Sequence, residues 1–230
     1  MHIMEGFLPW QWCLVWWIIA LPCVMLGIYQ LRKVLASDRD ALPLLGVTGG
    51  FIFILSSLKL PSVTGSCSHP TGTGLSTISF GPWITALVCS VVLLFQSLFL
   101  AHGGLSTLGA NIVSMGIVGP LAGYVVYRLL RDTSVNMYIT VFLVCALADM
   151  FTYVTTSLEL ALAYPAETGG IASSFILFMG IFAITQIPLA IVEGVVLALV
   201  FKYIVALKPE ILIRLGVFSE KQINEARSDI

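Results

Sequence analysis

The chain has three histidines, His2, His69 and His102. His2 follows directly on Met1, and that adjacency carries chemistry. The α-amino group of Met1, the amide nitrogen of His2 and Nδ1 of its ring stand in succession. A metal bound through all three closes a five-membered and then a six-membered chelate ring. Both rings are low in strain, and the three donors share a plane. A fourth nitrogen from His69 would complete the square. Planar nitrogen donors suit Ni(II) and Cu(II), and Co(II) can be forced into the same geometry. Metal–nitrogen distances of about 2.0 Å are expected by analogy with other imidazole sites. Without a carboxylate the set suits hard Mg(II) or Ca(II) poorly. The plainer reading of His2 is a solvated terminal residue. That of His69 is a side chain capping a helix or bonding a carbonyl.

The other polar groups are weaker candidates. His102 ends an apolar stretch before Gly103 and Gly104 and reads as a snorkelling or capping boundary residue. Cys67, two residues from His69, would draw soft ions such as Cu(I) or Zn(II) as a thiolate, but reads as a small neutral side chain. Cys13, Cys23, Cys89 and Cys145 lie in apolar runs and read as small hydrophobes. Asp149, Glu159 and Glu193 fall within or at the ends of apolar segments. There an Asp costs roughly 2.5–3.5 kcal/mol to insert, so such carboxylates are functional candidates by default. Asp149 and Glu193 could instead be protonated and bond between helices. The sequence has no GxxxxGK[ST], HExxH, GxSxG or CxxC, so it offers no P-loop for ATP and no catalytic constellation.

These residues sit in a very apolar frame. Of 230 residues 58% are hydrophobic and 10% charged, with a mean hydropathy of +1.00. Soluble domains carry about 25% charged residues, so this chain cannot cover a water-facing surface. Disorder is excluded by the same figures. A net charge of -1 without a basic patch excludes nucleic acid as a partner. Between Ala41 and Tyr127 only Lys59 is charged. Continuous apolar runs between short charged loops predict an all-α, polytopic membrane helix bundle rather than a barrel.

Spans of the required ~20 residues are predicted at 11–31, 41–58, 82–101, 105–130 and 135–163. The run 171–201 is too long for one ordinary span, and Pro188 makes it either one kinked helix or two shorter ones. The count is six or seven helices, with seven preferred. Arg32, Lys33 and Arg39 directly follow the first span, and no Lys or Arg precedes them. The positive-inside rule then puts the N-terminus outside. Lys202, Lys208, Arg214, Lys221 and Arg227 put the tail inside, so the number of crossings is odd. Arg128 and Arg131 conflict with this, since seven simple crossings leave them outside.

The start carries Glu5 rather than a basic region, and no A-x-A follows the first apolar run. It therefore reads as a permanent span anchored by Trp10, Trp12, Trp16 and Trp17, and any signal peptide lay before Met1. The small, hydroxylated, Gly-rich stretch 61–81 is an outer connection or a structured lid. Gly119 and Gly123, and the stripe Ala190, Gly194, Ala198, read as packing faces within the chain. The predicted organisation is a membrane domain over 1–207, with an N-terminal metal-binding segment 1–9 and a metal-site loop 61–81, and a cytoplasmic tail over 208–230.

Four stretches carry a resemblance: MHIMEGFLP, SSLKLPSVTGSCSHPTGTGL, LLFQSLFLAHGGLSTLGAN and FMGIFAITQIPLAIVEG. Together they resemble the CbiM family, the substrate-capture (S) component of the energy-coupling-factor (ECF) cobalt transporter, closely related to its nickel counterpart NikM. The likeness runs from Met1 to about Ala206. It implies an S-component-like bundle with an added N-terminal segment. It implies no enzyme activity and no bound cofactor. The implied substrate is Co(II), for corrinoid (vitamin B12) biosynthesis, with Ni(II) as the alternative. It implies metal ligation by the terminal amine, the amide and ring of His2, and His69, so the site residues fall on Met1, His2 and His69. It further implies a CbiQ-type coupling subunit, a CbiO-type ATPase pair and a CbiN-type small membrane protein as partners, in the bacterial cytoplasmic membrane. The rival readings are an intramembrane enzyme using His69 or His102 with Asp149, and a purely structural membrane subunit.

Overall fold

The computed structural model describes residues 1–61 and 65–228. Its helices are α1 (Trp10–Ser37), α2 (Leu42–Ser57), α3 (Thr73–Phe80), α4 (Pro82–Phe99), α5 (Leu108–Asn111), α6 (Gly119–Leu130), α7 (Met137–Ala163), α8 (Gly170–Leu207), α9 (Pro209–Arg214) and α10 (Glu220–Ser228). A π-helical stretch, Ile112–Val118, joins α5 to α6, making one rod. Strands β1 (His2–Ile3), β2 (Leu60–Pro61) and β3 (Ser66–Ser68) and a 3-10 turn at Arg39–Ala41 complete the described elements. A segment in hydrocarbon must satisfy its own backbone, which favours uninterrupted helices wherever the apolar runs lie. Pro43, Pro82 and Pro209 stand in the first turns of their helices, where the missing N–H costs nothing.

Six helices among the described residues are long and apolar enough to cross a membrane. Pro188 does not divide the last one. It lies inside α8, which is continuous over 38 residues, or about 57 Å at 1.5 Å per residue. Breaking it there would free backbone groups in a region without water to receive them.

A seventh passage through the bundle, too short to count among these spans, lies elsewhere in the chain. His69 and His102 lie together at one end of the bundle. Between them α3 leads away from that end and α4 leads back. The third passage is therefore the eight residues of α3, roughly 12 Å long, extended by the residues before it. It is possible because α3 is buried among its neighbours. At Gly74 an added Cβ would stand 2.3 Å from Cys145 Sγ and 2.7 Å from Cys145 Cα, so α3 lies flush on α7.

This passage removes the conflict over Arg128 and Arg131. With α3 counted, the rod α5–α6 runs away from the histidines, and both arginines join Arg32, Lys33 and Arg39 at the far end. The tail is at that end too. Arg214 pairs with Asp38 (3.6 Å) and Asp40 (3.1 Å), while the Gln222 amide donates to the Arg131 carbonyl (3.0 Å). The tail is not a loose appendage: Leu212, Val217, Phe218 and Ile223 are buried against Tyr127 and Phe201.

The small-residue stripes pack internally. A Cβ on Gly119 would meet Thr152 Oγ1 at 2.3 Å, and one on Gly194 would meet Phe142 Cδ2 at 2.7 Å, so both α6 and α8 close on α7. Close approach of backbones of this kind is how helices associate where lipid is as apolar as the side chains.

Candidate metal centre

The first nine residues are tied to the bundle by their backbone, and Met1, His2 and Ile3 are buried in it. β1 and β2 both pair with β3 in a small antiparallel sheet, with His2 opposite Cys67 and Ile3 opposite Ser66. The Ile3 amide donates to Asn111 Oδ1 (2.7 Å), and its carbonyl accepts from Thr107 Oγ1 (2.8 Å) and Asn111 Nδ2 (3.1 Å). The Met4 amide donates to the Gly65 carbonyl (2.9 Å). Glu5 accepts from the Ser106 amide (3.1 Å), and the Tyr164 hydroxyl donates to the Phe7 carbonyl. A buried strand needs these partners, because unpaired peptide groups are costly away from water. Gly104 permits the fit: a Cβ there would stand 2.5 Å from Glu5 Cα.

Met1, His2 and His69 come together with no solvent exposure. The His2 and His69 rings stack, with centroids 4.3 Å apart and planes at 28°. His69 Nδ1 lies 2.8 Å from the Pro70 carbonyl. A carbonyl only accepts, so Nδ1 carries the proton and Nε2 presents a lone pair. That Nε2, like both ring nitrogens of His2, has no partner among the described residues. Burial pushes the Met1 amine below its usual 8.0. Burial, reinforced by neighbouring basic groups, holds His2 and His69 well below 6.5. These bases are thus kept neutral, which is the form that ligates metal.

The loop after His69 is fastened from α7 and α8. The Glu193 carboxylate accepts from the amide of Thr71, from its hydroxyl (2.9 Å) and from the Gly72 amide (2.9 Å). Gln186 donates to the His69 carbonyl (3.0 Å) and to Asp149 Oδ1 (2.6 Å). Gly72 takes a φ of 71°, and its α-carbon side abuts Ile52, so the loop turns into α3 against α2. Asp149 thereby accepts from α8 and Glu193 from the loop after His69. Glu159 is buried with both oxygens unpartnered among the described residues.

Two residues read as incidental in the sequence lie against His2 and His69. His102 does not snorkel. It is buried, with its ring 4.4 Å from His2 and 5.1 Å from His69, and burial lowers its pKa to about 4. The reason is local: Ala101 adopts φ 46°, which turns the chain back beneath the N-terminal strand. The His102 amide then donates to the Gln96 carbonyl (3.2 Å). Cys67 Sγ lies 3.0 Å from His102 Nε2. One ligand atom from each of His2, Cys67, His69 and His102 falls within 4.8 Å of the others. The sequence signal for His102 was the Gly103–Gly104 pair, which permits close approach of another backbone.

The family model described as "CbiM: Cobalt uptake substrate-specific transmembrane region" matches residues 2–211. The chain belongs to the CbiM family. It is a cobalt uptake component of the membrane and not an enzyme. A Methanosphaerula palustris chain named CbiM 2 is 70% identical over 227 residues, covering 99% of this chain and 97% of that one. A Methanocorpusculum labreanum chain named as a fused CbiMQ is 49% identical, covering 96% of this chain and 38% of its own length. Among solved structures, one titled a truncated transition metal transporter aligns with a TM-score of 0.76 at 27% identity, covering 89% of this chain and 98% of that chain.

Proposed function

We propose that the chain is the substrate-binding membrane component of an ATP-driven ECF importer, and that it captures Co(II) in a planar four-nitrogen site. The donors are the Met1 amine, the amide nitrogen and Nδ1 of His2, and Nε2 of His69. The observation that carries this is the complete burial of Met1 and His2 beside a His69 whose Nε2 lone pair is free. A free amine and a neighbouring histidine close the two low-strain rings described above, and His69 supplies the fourth corner. Ni(II) accepts the same four nitrogens, so competition between labelled cobalt and nickel decides between them.

Membrane residues 1–207 present the site at the outer face. Ten of the eleven Lys and Arg residues lie at the opposite end of the bundle, which supports N-out and C-in in the cytoplasmic membrane, with the tail 208–230 inside. A CbiQ-type coupling subunit is supported by the fused CbiMQ relative. CbiO-type ATPases and a CbiN-type protein complete the machine in this reading, and corrinoid biosynthesis is the destination of the cobalt. Placing one glycine before Met1 displaces the amine and should abolish cobalt uptake by the assembled transporter. Undiminished uptake overturns the proposal.

A further inference from the structure

The planar set leaves two buried ligands unused. Cys67 and His102 are 7% and 2% exposed, and His102 Nδ1 has no partner among the described residues. The chain accepts φ 46° at Ala101 to put His102 there, a conformation that costs an alanine about 1–2 kcal/mol. Such strain at a ligand-bearing turn motivates a functional reading.

We propose that His2, Cys67, His69 and His102 form a tetrahedral site of three nitrogens and one sulfur for Zn(II), and that zinc held there excludes cobalt. With Zn–N of about 2.0–2.1 Å and Zn–S of about 2.3 Å, tetrahedral ligand atoms lie roughly 3.3–3.6 Å apart. The four side chains already offer atoms within 4.8 Å of one another, and Cys67 Sγ lies 3.0 Å from His102 Nε2. Closing the site takes side-chain movements of about 1 Å on that arithmetic. The Pro70 carbonyl on His69 Nδ1 is the kind of outer contact that fixes a ligating imidazole. Zn(II), with a filled d shell, gains nothing from a plane, whereas one thiolate and three imidazoles match its tetrahedral preference. Binding releases the Cys67 thiol proton to solvent, leaving the sulfur as thiolate. No redox step is involved. Because the site shares His2 and His69 with the planar set, one ion keeps out the other. This exclusion rests on the planar reading; the zinc site does not, since it uses no terminal amine.

The test uses the full chain, purified metal-free in detergent, and zinc alone as probe. Zinc-edge X-ray absorption of the wild type should show one sulfur at about 2.3 Å. Cys67→Ser and His102→Gln should each weaken zinc binding at least about tenfold, as loss of a ligand requires, while melting curves check the fold. Zinc should prevent cobalt binding in the wild type. A shell of nitrogen and oxygen only, or zinc affinity unchanged in both variants, overturns the proposal, as does simultaneous binding of both metals. A glycine placed before Met1 separates the two readings. Cobalt binding lost with zinc still held through sulfur supports both; cobalt binding retained overturns the planar reading alone; zinc lost with the fold intact overturns this one.

Discussion

Glu193 is bonded to the loop just beyond His69 and is not itself a proposed ligand, yet it should control retention of the metal. Its carboxylate accepts from the amides of Thr71 and Gly72 and from the Thr71 hydroxyl, which fixes the chain just beyond His69. Glu193→Ala leaves two buried N–H groups without an acceptor. Each costs roughly 1–3 kcal/mol, so the closed loop loses about 2–6 kcal/mol relative to an open, hydrated one. At the low end, about 2 kcal/mol lowers affinity roughly thirtyfold. Glu193→Gln keeps one acceptor oxygen and should fall between alanine and wild type. The assay is calorimetric titration of the purified variants with Co(II), beside melting curves of the metal-free proteins. If Glu193→Ala binds cobalt within about threefold of wild type, a shift under 1 kcal/mol, the loop is not held by this carboxylate and the reasoning fails.

Three further outcomes follow from the same structure. Burial holds His2 and His69 well below 6.5, so the unfolded chain takes up protons that the folded chain refuses. Stability present above about pH 6.5 is therefore lost as pH falls; the melting temperature of the metal-free protein should drop between about pH 7 and pH 5, and drop less in His2→Gln. Gly74→Ala drives a methyl into Cys145 and should destabilise by about 1–3 kcal/mol, whereas Gly46→Ala meets nothing and should not; equal melting temperatures would contradict the account of α3. Ala101→Gly relieves φ 46° and should stabilise by about 1 kcal/mol in thermal unfolding; a loss of stability would show that Ala101 is not strained.

The sequence made the long spans legible because an apolar run of twenty residues has few other physical solutions. It also joined Met1, His2 and His69, since chelate geometry depends only on covalent spacing and the family motifs located the third member. It could not reveal α3 as a passage through the bundle. Eight residues rich in Gly, Ser and Thr fall below any length criterion, and only burial against α7 lets them pass. Missing α3 made Pro188 the wrong place to seek the seventh passage and put Arg128 and Arg131 at odds with Arg32. His102 was undervalued for a related reason. Its burial depends on the φ of Ala101 and on the N-terminal strand lying over Gly104, contacts between residues about a hundred positions apart.

In the proposed site cobalt is held by nitrogen alone. Cobalt-edge X-ray absorption of the loaded, full-length chain tests it most directly. Four nitrogens at about 2.0 Å and no sulfur are expected. A sulfur scatterer near 2.3 Å, or a shell of six oxygens, would contradict it.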